Sequence, residues 1–374
     1  MVRKRKVLVI FGTRPEAIKL APVVHHLKTR GSAFRTIICV TAQHREILDQ
    51  VLSLFEIKPD YDLNIMTTRQ SLTQITVRAI EGLGNVIEKE VPDVVLVQGD
   101  TTTTFCGALA AFYHKIEVGH IEAGLRTDNK YAPFPEEINR RMTTQLTDYH
   151  FAPTEHARQS LTRDGIVDSS IFVTGNTVID AMLWVLNKMR EKPPQLPEGL
   201  DNILDHRHLV LVTCHRRESF GQGFENICGA IREVADAFPE WGFVYPVHLN
   251  PNVREPVNRI LGGHKRIHLI EPLSYGPFVW LMDKAKIVLT DSGGVQEEAP
   301  SLGKPVLVMR ENTERPEGIE ACNARLLGVK KDSIINGLVE LLECPEKLEE
   351  MAKVNNPYGD GHAAEKIVGI LEKL

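Results

Sequence analysis

The segment TDSGGVQEEAPSLGKPVLVMRENTERPEG, Thr290 to Gly318, carries the densest chemistry in the chain. An apolar run ends at Asp291, two glycines allow close backbone approach, and VQEEAPSL starts a helix. Ser292, Gly293 and Gly294 are therefore expected to cradle a diphosphate on the amides of that helix start. One turn on, Glu298 is placed to accept hydrogen bonds from two ribose hydroxyls, whereas Glu297 points about 100° away around the helix. Arg315, after the next strand, is expected at the same edge. Upstream, EPLSYGPFVWLMDKA follows a strand and opens a helix. Phe278 at such a position is ordinarily a core residue; the loop around Leu273 can read a base through backbone groups, with Phe278 packed nearby.

A second set lies in the first half. FGTRPEAIKL (Phe11 to Leu20) leaves a strand through a glycine, places Pro15 in a first helical turn and adds Arg14 and Lys19. It lacks the second glycine and the Ser or Thr of a nucleotide P-loop, yet cations beside a helix start suit an anion. Three acids follow strands or open helices: Asp100 in VQGDTTTT, Glu122 in GHIEAGLRT and Glu136 in APFPEEINRR. Each has a plain structural reading, as a cap, a turn residue or a charge favouring a helix dipole. Together, in adjacent loops, they suit an acid and base set. LVTCHRRESFG adds His215 directly after a buried strand, with Arg216 beside it. No His-Glu-x-x-His, no Asp-x-Asp pair and no dinucleotide glycine fingerprint is present, so neither a metal nor NAD is expected and no cofactor is assigned.

The elements that must position these residues are legible as short β-branched runs alternating with helical patterns, the mark of parallel sheets wrapped by helices. Strands are expected at VLVIFG, RTIICVTA, DVVLVQG, IEVGHIEA and YHFAPT, then at HLVLVTC, GFVYPVH, RIHLIEP, KIVLTD and KPVLVMR. At 374 residues the chain exceeds one comfortable core, since single cores stop growing near roughly 250–300 residues. The prolines of EKPPQLPEGLDN (Glu191 to Asn202) mark the changeover. The expected organisation is an α/β fold of two Rossmann-like, doubly wound parallel-sheet domains facing a cleft. Residues 1–185 are expected to form the acid/base side, 186–358 the nucleotide side, and the helix at 359–374 to pack back on the first domain.

Composition excludes several classes. With 43% hydrophobic and 25% charged residues and a formal net charge of −5, the chain offers no basic face for nucleic acid. No stretch reaches the roughly 18–20 apolar residues of a membrane span, and a cytoplasmic location is expected. The six cysteines never form a Cys-x-x-Cys pair and read as small core residues.

FGTRPEAIKLAPV, TAQHREILDQV, VQGDTTTTFCGALAAF, HIEAGLRT, PFPEEINRRMT, TCHRRESFG and DSGGVQEEAPSLGKPVLVMRENTERPEG, in this order along nearly the whole chain, resemble the motifs of the non-hydrolysing UDP-N-acetylglucosamine 2-epimerases. The resemblance implies a GT-B architecture and reversible conversion of UDP-N-acetylglucosamine to UDP-N-acetylmannosamine. Carried over residue by residue, it implies that Arg14, Lys19, Asp100, Glu122, Glu136 and His215 surround the sugar and diphosphate. Leu273, Phe278, Ser292, Gly293, Gly294, Glu298 and Arg315 would hold UDP. It also implies a homodimer, and a second UDP-N-acetylglucosamine as activator near Gln43, Arg69, Gln70, Arg216 and His248.

The hydrogen on carbon 2 of the sugar is barely acidic in the ground state, so a carboxylate alone cannot remove it. Departure of UDP gives the anomeric carbon oxocarbenium character and acidifies the neighbouring C–H. The expected path is elimination to a glycal bound with UDP, then re-addition after protonation from the other face. Asp100, Glu122 and Glu136 serve the two faces as a group, and His215 serves the diphosphate or a proton relay. The rival readings are a GT-B glycosyltransferase with a UDP-sugar donor, a hydrolysing epimerase that releases free N-acetylmannosamine, and a nucleotide-sugar sensor without chemistry.

Overall fold

Strands buried on both faces need neighbours on both sides, and the chain supplies them twice. The computed structural model describes residues 3–42, 45–67, 70–195, 200 and 208–374. They divide into two units: unit 1 comprises Met1–Trp184 with Tyr358–Leu374, and unit 2 comprises Val185–Pro357. The division falls inside a helix, α7 (Thr177–Glu191).

Unit 1 holds a seven-stranded parallel sheet of order β3-β2-β1-β4-β5-β6-β7. Its strands are β1 (Arg5–Phe11), β2 (Phe34–Val40), β3 (Tyr61–Asp62), β4 (Val94–Gln98), β5 (Glu117–Ile121), β6 (Tyr149–Ala152) and β7 (Ile171–Val173). Leu8 and Ile10 of β1 pack with Val95 and Val97 of β4 and with Ala79, Leu83 and Val86 of α3 (Leu72–Glu90). The whole run Val7–Phe11 is inaccessible to solvent, as an unalternating apolar strand requires. Helix α1 (Arg14–Thr29) lies against the helix Ala363–Leu371, which the chain contributes after leaving unit 2. That return is anchored by hydrogen bonds: Asn176 N donates to Tyr358 O, and the Ala363 and Ala364 amides donate to the buried Asp180 carboxylate.

Unit 2 holds a six-stranded parallel sheet of order β10-β9-β8-β11-β12-β13. Its strands are β8 (His208–Thr213), β9 (Trp241–Pro246), β10 (Ile267–Ile270), β11 (Ile287–Thr290), β12 (Val306–Val308) and β13 (Ala324–Leu326). Its core gathers Val210, Val212, Phe243, Leu289 and Leu307 from the strands with Phe224, Ile227 and Ile231 from the helix Gln222–Ala237.

Both sheets carry the doubly wound parallel order expected from the alternation of runs. The edge strands β3, β7 and β13 were not foreseen: two, three and three residues long, they are too short to leave a periodic signal. In each unit the strand order reverses once, between β1 and β4 and between β8 and β11. At such a reversal the flanking loops diverge to opposite faces and leave a crevice at the carboxyl edge. Among the described residues no helix is long and apolar enough to cross a membrane.

Candidate active site

In unit 1 the loops leaving β1 and β4 flank the reversal point, the loop leaving β5 lies next to them, and all three carry residues singled out from the sequence. Glu122 follows β5 in the left-handed region, at φ 64°, a conformation uncommon for a non-glycine residue and typical of functional strain. Its carboxylate is buried and held from three directions. Lys19 Nζ donates to both oxygens at 2.6 and 2.7 Å, Asn176 Nδ2 to one at 3.2 Å, and Gln98 Nε2 to the other. Lys19 thus faces an acid of its own unit.

Asp100 follows Gly99, whose φ of 75° turns the chain sharply after β4. The expected capping role falls instead to Thr101, whose hydroxyl accepts from Thr104 N at the head of α4 (Thr102–Tyr113). Asp100 is left to pair with Arg140, at 2.6 Å from Nη2 and 2.9 Å from Nε, while Asn139 Nδ2 donates to its carbonyl. Asn139 and Arg140 lie one turn into α5 (Glu136–Leu146), the helix that Glu136 opens. One helix therefore presents the third acid and grips the first. Glu136 Oε2 is buried without a partner in the structure, a cost that a native site bears only for a reason. Its neighbour Glu137, wholly buried, is spent on Arg140, Arg141 and Thr127 N.

Arg14 is exposed at the start of α1. The two amides just before the helix are already taken. Gly12 N and Thr13 N donate to Glu16 Oε2 at 3.0 and 2.7 Å, and Thr101 Oγ1 donates to Glu16 Oε1 at 2.6 Å. Burial raises the Glu16 pKa, and these donors pull against it. His120, two residues before Glu122, bonds through Nε2 to Gly99 O at 2.7 Å; since a carbonyl only accepts, that nitrogen carries the proton. Burial depresses its pKa to about 3, so it stays neutral. His120 ties the turn before Asp100 to the strand before Glu122.

In unit 2 the strands β8 and β11 are joined at their ends by the Thr213 and Thr290 hydroxyls at 2.6 Å. Asp291 is fully buried, and its Oδ2 accepts the backbone amides of His215 and Arg216, both at 2.7 Å. It fixes the loop that presents His215. That imidazole is nearly half exposed, lies 3.8 Å from Asp291 Oδ1 and stacks on His248 with ring centroids 5.3 Å apart. Burial lowers its pKa and the Asp291 charge opposes the shift.

Ser292 caps the helix Gly293–Glu298 without a side-chain bond, and a methyl group at Gly294 would meet nothing within 4 Å. The loop is thus open where a diphosphate is expected. Glu298 accepts a short hydrogen bond from the Tyr275 hydroxyl, and Glu297 forms an ion pair with Arg315. Arg315, which follows β12, is thus held by Glu297. Leu273 and Phe278, both partly buried, flank the start of the helix Tyr275–Lys284. Arg216 approaches Glu314 at 3.8 Å, and Gln70 Nε2 donates to Ile65 O. Gln43 and Arg69 lie outside the described residues.

Sequence reasoning missed Glu16, Gln98, His120, Arg140, Asn176 and Asp291 as supporting residues. Glu16 alone had a local signal, the capping-box spacing from Thr13. The others act through pairings across the sheet, which no local pattern encodes.

A family model described as UDP-N-acetylglucosamine 2-epimerase matches residues 26–372. The chain is 56% identical over 370 residues to a UDP-N-acetylglucosamine 2-epimerase of Escherichia coli K12, covering 98% of both chains. Its fold is similar to the crystal structure of a UDP-GlcNAc 2-epimerase from Neisseria meningitidis bound to UDP-GlcNAc, with TM-score 0.88, 52% identity and coverage of 99% and 100%. It is also similar to a 2-epimerase structure from Listeria monocytogenes described as putative, with TM-score 0.93, 48% identity and coverage of 99% and 96%.

Proposed function

Because this chain belongs to the UDP-N-acetylglucosamine 2-epimerase family, we propose that it inverts carbon 2 of UDP-N-acetylglucosamine reversibly and without hydrolysis. UDP-N-acetylmannosamine is the product and a glycal the intermediate. The supporting observation is the acid set of unit 1: Glu122 in strained backbone on Lys19, Asp100 on Arg140, and Glu136 heading the helix that carries Arg140. A binding protein has little use for a buried carboxylate held in strained backbone, as Glu122 is.

In this reading the open Ser292–Gly294 loop and Arg315 take the diphosphate, Glu298 the ribose, and the Leu273 loop with Phe278 the base. Arg14 and His215 add donors where charge grows on the departing UDP; losing one such donor raises the barrier by about 3–4 kcal/mol. In the forward direction the C2–H electron pair becomes the C1–C2 double bond as the C1–O bond to UDP breaks, and the proton passes to a carboxylate. A carboxyl on the opposite face then returns a proton to C2, and UDP re-adds at C1. Proton transfer at the two faces belongs to Asp100, Glu122 and Glu136 as a group. A second UDP-N-acetylglucosamine, near Gln43, Arg69, Gln70, Arg216 and His248, acts as activator, and the protein works as a homodimer.

The test is incubation with UDP-N-acetylglucosamine alone in deuterated water. UDP-N-acetylmannosamine should appear, with deuterium at carbon 2 of both nucleotide sugars. Free N-acetylmannosamine as the main product would identify the hydrolysing type. Need for an acceptor would identify a glycosyltransferase.

A further inference from the structure

We propose that Glu16 is a positioning residue, an internal carboxylate that ties the loop after β1 to the loop after β4 and so sets where Asp100 stands. The proposal rests on the reading of Asp100 as an acid or base of the reaction.

A capping-box glutamate needs one oxygen, directed at the amide of its own helix cap. Glu16 does this with Oε2, which takes the Gly12 and Thr13 amides at 3.0 and 2.7 Å. Its other oxygen is committed elsewhere. Oε1 accepts the Thr101 hydroxyl at 2.6 Å, from a loop 85 residues away in sequence. Thr104 Oγ1 stands 3.1 Å from the same oxygen, but its single proton has a shorter partner in Gln98 O at 2.6 Å. Three donors are therefore assured and the fourth is shared.

The two loops flank the point where the strand order of unit 1 reverses. Thr101 is bonded to Asp100 through one peptide and caps α4, so any shift of its backbone carries Asp100 with it. Packing leaves the loop after β1 no latitude. A Cβ on Gly12 would lie 2.5 Å from Thr103 Oγ1, and Thr103 is itself bonded to Thr41 at 2.8 Å. Arg140 and Asn139 hold Asp100 from α5; Glu16 acts on it through the neighbouring Thr101. The acid is thus pinned through Thr101 on one hand and through Arg140 and Asn139 on the other.

The experiment uses the full chain and three variants: Glu16→Gln, Thr101→Val and the pair. Glu16→Gln keeps the shape but turns an NH2 toward either the amides or the hydroxyl. A displacement near 1 Å of a reacting group costs about a hundredfold in rate, so kcat should fall by roughly that factor. KM and the affinity for UDP, set by unit 2, should change by less than about threefold. Thr101→Val should lower kcat in the same way, and the pair should lose no more than Glu16→Gln alone, since both cut one link. Deuterium entry at carbon 2 should slow in step with kcat.

A folded Glu16→Gln variant that melts lower yet keeps kcat within about threefold of the unmodified protein would overturn the proposal, as would multiplicative losses in the pair. If Glu16→Gln does not fold, Thr101→Val decides by the same criterion. The unmodified protein's turnover of UDP-N-acetylglucosamine is measured in the same series. Its absence would sink the functional reading, whereas the variant-to-parent ratio judges Glu16 alone.

Discussion

Replacing Lys19 by methionine removes the cation from Glu122 and leaves the acid where it is. The two side chains are 15% and 5% exposed and lie 2.6 Å apart, so the pair is a buried one. Breaking such a pair by deleting one partner costs about 3–5 kcal/mol, because the remaining charge is stranded. Gln98 and Asn176 still donate to Glu122 in the variant, which places the expected loss near the lower limit, about 3 kcal/mol. In a unit of this size each kcal/mol lowers the melting temperature by about 2–4 °C, giving a fall of roughly 6–12 °C. Adding Glu122→Gln removes the stranded charge, so the double variant should recover part of the loss while remaining inactive in the deuterium assay. Calorimetric or circular-dichroism melting of the parent, both single variants and the pair completes the cycle. A Lys19→Met protein that melts within a degree of the parent, or a pair no more stable than Lys19→Met, would refute the view of Glu122 as a buried, charge-compensated acid.

Two glycines should respond in opposite ways to alanine. Gly12→Ala drives a methyl into the Thr41 and Thr103 hydroxyls and should cost about 1–3 kcal/mol in urea unfolding. Gly294→Ala meets open space and should gain up to about 1 kcal/mol of helix stability, yet weaken UDP binding in a calorimetric titration. Asp291→Ala frees the amides of His215 and Arg216; with each orphaned amide worth about 1–3 kcal/mol, unit 2 should unfold at clearly lower urea and bind UDP less tightly. Acid should destabilise unit 1 through His120. Its folded pKa of about 3 lies below the ordinary value near 6.5, so only the unfolded chain takes up the proton between those pH values. Stability is intact above about pH 6.5 and falls by up to about 1.4 kcal/mol per pH unit below it. His120→Gln should flatten that slope in unfolding curves taken from pH 7.5 to 5.

The fold class was legible because parallel strands buried on both faces must be written as unalternating apolar runs, as in VLVIF and VVLVQ. Neither Tyr61–Asp62 nor Ala324–Leu326 has such a run: each pairs with only one neighbour at a sheet edge, where hydrogen bonding rather than burial makes the strand. For the site, residue type and place after a strand were enough to nominate Glu122 or Ser292, since parallel topology sends every strand end to one edge. What each nominee faces was not legible. Lys19, nominated for an anion, meets Glu122 across 103 residues of sequence, and the amides of Gly12 and Thr13 meet Glu16. Distances in the folded chain between residues far apart in sequence leave no periodic trace, so partners such as Asn176 and His120 could be found only in three dimensions.

The segment from Tyr358 onward gives a topological order to the chain's birth. Unit 2 is continuous, whereas unit 1 lacks Ala363, Ala364, Ile367, Val368 and Leu371, all essentially solvent-free when folded, until unit 2 has left the ribosome. The half that is translated first is therefore the half that matures last, and its apolar seam along α1 stays unsealed through the interval. A chain truncated at Pro357 and released should display a protease-resistant second half beside a cleavable first half, a reversal of the usual amino-to-carboxyl sequence of domain maturation.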